Sequence, residues 1–407
     1  MTTFFLAQAR FPAPEFETYR LPELVMEEAV FDSSLLRAGL LLLFLFGSGY
    51  CFYRRRSRKA LLLLHLLGLA VFGFLLHACP CPVGIVQNIA EAAATGAPLP
   101  LAYLLLFTLP LLCALFCGRL FCAGACPLGA LQELMPGKKF RLPPALDRFF
   151  RLGAVLVLLL VLVCTVAGIG FPLCRLDPYL PIFLRSFNHP YLWLTVVFLL
   201  LGLLLSRPFC RYICPYGVLL RLFSLLAWKK PVITTHDCIN CRLCQQSCPN
   251  NAIIAPESAA SPAQRKRGLR RLELLLASIP LALALGGFLG YAAAPLLYPL
   301  HRAISLEQKL QQRAEPELAV EAFEKSQQPV TELSAAADRG RRVIRTGLTL
   351  SGLLFAAWVL AELLAQARRR PEEDIHCIDQ TLCLCCGRCY QACPLEKPRP
   401  SQPDRRT

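Results

Sequence analysis

An all-α polytopic membrane protein of about seven transmembrane helices is the fold class that this sequence predicts. The chain is 55% hydrophobic and only 17% charged, with a mean hydropathy of +0.48, a balance suited to a bilayer rather than to water. Apolar runs recur at the length a membrane demands, since a hydrocarbon core of ~30 Å needs roughly 20 residues of helix. The basic residues are shared unevenly among the segments between those runs, as in proteins oriented by the membrane.

Seven spans are expected, at 35–53, 60–78, 99–117, 152–171, 190–206, 271–294 and 344–366. The fifth is short and leans on Tyr191 and Trp193 as interfacial anchors. Around the spans the chain divides into an outer N-terminal segment (1–34), a transmembrane domain (35–230), a cysteine-rich segment (231–264), a transmembrane hairpin (265–370) with an outer loop at 296–343, and a second cysteine-rich segment with a tail (371–407). Residues 1–34 carry Glu15, Glu17, Glu23, Glu27, Glu28 and Asp32 without an apolar core, so a cleavable signal is not expected.

Orientation follows from Lys and Arg. Arg54-Arg55-Arg56-Ser57-Arg58-Lys59 joins the first two spans, and Lys138, Lys139, Arg141, Lys229, Lys230, Arg265, Lys266 and Arg267 mark 118–151 and 207–270 as the same side. The segments 79–98 and 172–189 hold only Arg175 and Arg185. The expected arrangement is therefore seven crossings with the N-terminus outside and the C-terminus in the cytoplasm. Arg339, Arg341 and Arg342 in the outer loop run against this, offset by that loop's length and its acids, Glu307, Glu315, Glu317, Glu321, Glu324 and Glu332. The net charge of +16 thus reads as membrane orientation. Nucleic acid is not an expected partner, because no basic stripe interleaved with aromatics lies on a soluble segment.

Cysteine carries the chemistry. Cys238-x2-Cys241-x2-Cys244-x3-Cys248-Pro249 is matched some 145 residues later by Cys383-x2-Cys386-x2-Cys389-x3-Cys393-Pro394. Thiolates at these spacings wrap the chain around a cubane iron–sulfur cluster, and in two-cluster bacterial ferredoxins the fourth Cys of each run ligates the other cluster. The expected ligand sets are therefore crossed. Cys238, Cys241, Cys244 and Cys393 would hold one [4Fe–4S] cluster, and Cys383, Cys386, Cys389 and Cys248 the other. Zinc sites share the Cys-x2-Cys element, but the full run with its trailing Pro is the iron–sulfur form. The fold class thus includes a split cytoplasmic 2[4Fe–4S] ferredoxin-like module, one half on each side of a hairpin. Most of the 21 cysteines fall on the predicted cytoplasmic side, which favours metal ligands over a disulfide framework.

An internal repeat places further thiols. Gly118-Arg119-Leu120-Phe121-Cys122-Ala123-Gly124-Ala125-Cys126-Pro127-Leu128-Gly129 ends the third span, and Ser206-Arg207-Pro208-Phe209-Cys210-Arg211-Tyr212-Ile213-Cys214-Pro215-Tyr216-Gly217 ends the fifth. Cysteines four apart share a helix face, so Cys122, Cys126, Cys210 and Cys214 are candidate ligands of one further iron–sulfur centre at the membrane boundary. The alternative is that they pack as small buried thiols. Arg119 and Arg207 either offset a cluster's charge or mark the positive-inside boundary.

Cys79-Pro80-Cys81-Pro82 after the second span and Cys174 after the fourth form a candidate outer redox site, with a disulfide as the competing reading. Cys51, Cys113, Cys117 and Cys164 read as packing residues, while Cys377 and Cys385 have no clear role. A membrane haem between histidines such as His65, His77, His189 and His301 is the weaker reading of those residues, and Cys-x-x-Cys-His for covalent haem is missing from the sequence.

The Gly-Arg-Leu-Phe-Cys-x3-Cys-Pro-Leu-Gly hairpin, the Cys-Pro-Cys-Pro-Val-Gly-Ile-Val-Gln-Asn stretch and the two C-terminal motifs resemble the NosR/NapH-type membrane iron–sulfur proteins, over roughly residues 35–250 and 371–394. The resemblance implies electron transfer between a cytoplasmic or quinone donor and a periplasmic flavoprotein or reductase. Two features depart from the family. NosR carries a flavin-binding domain before its first span, where about 34 residues stand here, so FMN is expected to come from a partner. NapH keeps its ferredoxin motifs together, whereas a hairpin divides them here. A maturation factor reducing metal or thiols for a partner enzyme, or a membrane redox sensor, are the rival functions.

Overall fold

The computed structural model describes residues 33–76, 82–135, 140, 142–171, 174, 176–185, 191–233, 238–254, 262–312, 318–325, 329–368 and 376–395. His77, Cys79, Cys81 and His189 lie outside the described residues.

Helix α1 (Ser33–Gly49) widens into a π-helical turn at Tyr50–Arg54. Ser57 then caps α2 (Arg58–Gly68), its hydroxyl accepting from the Ala60 N–H, as short polar side chains do at helix starts. α2 widens in turn into a second π-helical stretch, Leu69–Leu75. After α3 (Pro82–Thr95) comes α4 (Leu101–Cys117), followed by two short helices, α5 (Phe121–Gly124) and α6 (Pro127–Leu134). α7 (Pro144–Val166), the one-turn α8 (Leu180–Phe183) and α9 (Leu192–Leu204) precede a second pair of short helices, α10 (Pro208–Tyr212) and α11 (Pro215–Leu225).

Five helical stretches are long and apolar enough to cross a membrane: Leu35–Arg54, Arg58–Leu75, Pro144–Val166, Ile279–Leu300 and Val330–Ala367. Their outward faces carry side chains such as Leu43, Phe46 and Phe288, all largely exposed, which suits lipid and not water. The expected third and fifth spans form α4 and α9, apolar but of 17 and 13 residues. At 1.5 Å per residue these reach about 26 and 20 Å. α4 ends at Cys117, its expected limit, where Gly118 takes φ 73°. α9 ends at Leu204, two residues before its expected limit, where Leu205 is extended, and Arg207 then takes φ 51° ahead of the cysteines.

The first cysteine-rich segment supplies α12 (Leu243–Ser247) and β1 (Ile253–Ile254). α13 (Pro262–Ala277) leads into α14 (Ile279–Leu297). Beyond it, the segment expected as an outer loop is largely helical, with α15 (Arg302–Gln312), α16 (Leu318–Lys325) and the start of α17 (Val330–Arg368). α14 and α17 pack backbone to backbone, since a Cβ on Gly352 would lie 2.0 Å from the Gly286 carbonyl oxygen. Small residues permit such contact between apolar helices. At 39 residues, α17 is about 58 Å long, well beyond a ~30 Å core. Its projecting part and α15 close over the end of α7, burying Ile304, Ala337 and Ile344 with Val163 and Ala167. β2 (Cys377–Ile378) and α18 (Arg388–Ala392) complete the chain.

Candidate iron–sulfur sites

The two cysteine-rich segments fold against each other. β1 and β2 pair antiparallel, Ile253 opposite Ile378 and Ile254 opposite Cys377, and the Asp379 N–H donates to the Ala252 carbonyl at 2.7 Å. The motifs turn alike. Asn240 and Cys385, just before the second Cys, take φ 52°, and Arg242 and Gly387, just after it, take 59° and 72°. Alternating handedness aims successive N–H groups into a concavity that suits an anion. Accordingly the Cys385 N–H reaches Cys383 Sγ at 3.4 Å and the Ala252 N–H reaches Cys248 Sγ at 3.3 Å.

Cys238, Cys241, Cys244 and Cys393 wall one small cavity. Cys383, Cys386, Cys389 and Cys248 wall another. The fourth Cys of each run thus stands with the other run's first three. Among the described residues, no three His, Cys, Asp or Glu side chains converge on a single-ion position, as a zinc site with bonds of ~2.0–2.3 Å would require. Four thiols per cavity, with N–H groups on two sulfurs of the Cys248 set, fit a [4Fe–4S] cluster in their donor chemistry.

The repeated hairpins are built alike. Cys126 and Cys214 cap α6 and α11, each followed by Pro in the first helical position, where its missing N–H costs nothing. Three residues on, Gly129 and Gly217 stand at matching positions of the two helices. The capping Cys N–H bonds the carbonyl of Phe121 at 3.0 Å in one hairpin and of Phe209 at 2.9 Å in the other. Cys122, Cys126 and Cys214 are buried and Cys210 half-buried, and all four lie within electrostatic reach of one another. Gln132 clasps the pair of hairpins, donating to Cys210 Sγ at 3.1 Å and accepting from the Phe209 N–H at 3.1 Å. Cys122→Ser and Cys210→Ser should each remove the same iron, about four atoms of one cubane, by iron analysis of anaerobic protein. Independent, additive losses would mean separate centres, and no loss would mean packing thiols.

Glu133 ties these hairpins to the ferredoxin-like end. Its carboxylate, 4% exposed, accepts from Arg58, from Arg207 Nε at 3.0 Å and from Arg388. Arg58 also donates to the Cys386 carbonyl at 2.8 Å, and Arg211 to that of Pro249 at 3.0 Å. Burial alone would raise the Glu133 pKa, but Arg207, Arg58 and Arg388 together hold it well below the usual carboxylate range. Beside this contact, a cavity of about 420 Å³ opens between α7, α11 and α17, with Arg221 on Glu362 at 2.8 Å and Trp358 in its wall.

Other thiols are placed separately. Cys174 is half-buried and accepts from the Gln87 amide at 3.0 Å, while its expected companions Cys79 and Cys81 lie outside the described residues. Cys51, Cys113, Cys117 and Cys385 gather in one apolar cluster with Phe52, Leu61 and Tyr390. His65 is fully buried with Nε2 3.1 Å from the Cys126 carbonyl oxygen, and His301 packs against Gly340. Sequence reasoning missed Gln132 and Glu133. Glu133 had a readable signal, being the lone acid between Glu91 and Asp147 in a basic stretch.

A family model described as a 4Fe-4S binding domain matches residues 99–143 and 188–232, which hold the two hairpins, and another of the same description matches 231–254. Protein MJ0750 of Methanocaldococcus jannaschii is 32% identical over 190 residues, 44% of this chain and 76% of the relative. YccM of Escherichia coli, named for electron transport, is 30% identical over 42% of this chain and 52% of its own. The regulatory protein NosR of Pseudomonas aeruginosa is 28% identical over 38% of this chain and 23% of its own. The chain belongs to the NosR-type membrane iron–sulfur electron-transfer proteins. It spans about half the length of YccM and about a quarter of NosR. No solved structure matches it.

Proposed function

We propose that the protein passes electrons through [4Fe–4S] clusters between a cytoplasmic or quinone donor and a flavoprotein or reductase on the outer face of a bacterial inner membrane. One observation carries this reading. Three four-thiol sets adjoin, the set of Cys393 sharing a folded body with that of Cys248, and the latter bound through Arg58, Glu133 and Arg207 to the hairpins of Cys122 and Cys210. A bound cluster supplies a one-electron centre tuned by charge, hydrogen bonds to sulfur and exposure.

The chain's own residues do the rest. The crossed cysteines hold two clusters in a split module, and the hairpin cysteines hold a third at the boundary. Gln132 stabilises negative charge on Cys210 Sγ, and Glu133 fixes the spacing between module and membrane domain. The cavity beside Trp358 and Arg221 is open to a quinone donor from the membrane boundary. Seven spans, with α4 and α9 among them, put both module halves in the cytoplasm, and Cys174 with Cys79 and Cys81 near the outer face, where FMN would belong to a partner. The basic cluster at 339–342 weighs less against this orientation because Arg341 is paired with Glu307 and Asp338. A regulatory role rests on the name of NosR, of which the chain covers only about a quarter.

Inverted vesicles with ferricyanide trapped inside test the proposal. Their sidedness would be fixed by an impermeant thiol reagent that labels a Cys placed at Ser57 and not one placed at Ser326. Dithionite or a quinol added outside should then reduce the trapped ferricyanide only when the protein is present. Intact clusters without protein-dependent reduction would overturn transmembrane transfer, and the reverse labelling pattern would overturn its direction.

A further inference from the structure

Arg119 and Arg207 occupy the same place in the two hairpins, three residues before the first Cys, yet each reaches into the other hairpin. Arg207 Nη1 donates to the Cys122 carbonyl at 2.7 Å and lies 3.6 Å from where a Cβ on Gly129 would stand. Arg119 Nη2 lies 3.5 Å from the corresponding point on Gly217. Both are buried, 8% and 2% exposed, and both wall a cavity with Cys210 and Cys214. On their far side stands the ferredoxin-like end, where Arg119 Nη1 donates to the Thr381 carbonyl at 3.3 Å, two residues before Cys383. The guanidinium groups therefore lie between two thiol sets.

Residues that only marked the positive-inside boundary would extend to water, as long cationic side chains do. These do not. A buried cation is costly unless an anion meets it. Arg207 shares Glu133 with Arg58 and Arg388. Arg119 pairs with no carboxylate among the described residues, and its Nε has no partner. The anion that this geometry lacks is the one that four thiolates and a cluster would supply.

We propose that Arg119 and Arg207, exchanged between the hairpins, set the reduction potential of the centre held by Cys122, Cys126, Cys210 and Cys214. This rests on the reading of those cysteines as an iron–sulfur site. Reduction adds one electron and no proton to the centre. A fixed positive charge beside it favours the reduced form, so losing that charge lowers the potential. Arg119 has the larger effect, because Glu133 partly cancels Arg207.

Redox titration of anaerobic full-length protein, followed by electron paramagnetic resonance, tests this. Arg119→Gln should shift the oxidised-to-reduced ratio of the boundary centre at fixed poise by about tenfold or more, which is ~59 mV for one electron. Arg119→Lys should restore most of that shift, and the centre of Cys238, Cys241, Cys244 and Cys393 should keep its potential in both. Glu133→Gln, which removes the carboxylate that partly cancels Arg207, should move the boundary potential upward. A merely structural role would not give opposite signs. An unshifted centre in Arg119→Gln, or an equal shift in Arg119→Lys, overturns the proposal. Should Arg119→Gln fail to assemble the centre, an unshifted or lowered potential in Glu133→Gln overturns it equally. A wild-type protein with no third centre would instead remove the iron–sulfur reading of the hairpins, and this inference with it.

Discussion

Cys393→Ala should abolish the paramagnetic signal and about four iron atoms of the cluster whose other ligands are Cys238, Cys241 and Cys244, while leaving the nearer motif's cluster in place. The expectation rests on two independent features. The fourth Cys of a two-cluster run belongs to the other cluster, and Cys393 walls the cavity of Cys238, Cys241 and Cys244, from which Cys383, Cys386 and Cys389 are turned away to a second cavity with Cys248. Cys248→Ala should have the mirror effect. A loss in Cys393→Ala confined to the Cys383, Cys386 and Cys389 cluster would show that each run serves itself.

Glu133→Ala should free the ferredoxin-like end from the membrane domain. The substitution strands Arg58, Arg207 and Arg388 around an empty position, and breaking a buried ion pair from one side costs ~3–5 kcal/mol. Hydrogen exchange over 376–395 should rise sharply, and Glu133→Asp should recover part of the protection. Wild-type protection in Glu133→Ala would mean that Arg211, Arg119 and the other docking contacts suffice alone. The pH dependence has a definite sign. Because the carboxyl is held below its ordinary range, its contribution is complete above the unfolded value of ~4.3 and fades only as pH falls toward the depressed folded value. Mild acid near pH 5 should therefore leave docking intact.

The thiol chemistry was legible because spacing alone dictates it. Once Cys-x2-Cys-x2-Cys-x3-Cys-Pro appears twice, ligand types and turn geometry follow, and the hairpin repeat was equally plain in Phe-Cys-x3-Cys-Pro. Five helices of sufficient length were legible from apolar runs. The limits of α4 and α9 were legible too, each lying within two residues of the expected 99–117 and 190–206, and the fifth run was already short in sequence. The helices of 302–343 were hidden by polarity: Glu307 and Arg341 look like loop residues in sequence but pair across α15 and α17. Gln132, Glu133 and the exchanged arginines act through tertiary contacts between residues 74 to 262 positions apart, which no local pattern encodes.

The hairpin between the two cysteine-rich segments has a consequence for how the protein is made. The segment that leaves the ribosome first holds Cys238, Cys241, Cys244 and Cys248, and under the crossed pairing it cannot complete either ligand set. Nothing is complete until α14 and α17 have been inserted and β2 returns to pair with β1. Closing so long a loop adds little, about 0.6 kcal/mol for each doubling of its length, because α14 packed on α17 already brings its ends together. Metal loading of the module would therefore follow membrane insertion, so a chain stalled or mis-threaded at the hairpin would remain a pool of unmetallated thiols for the cell's quality control to recognise.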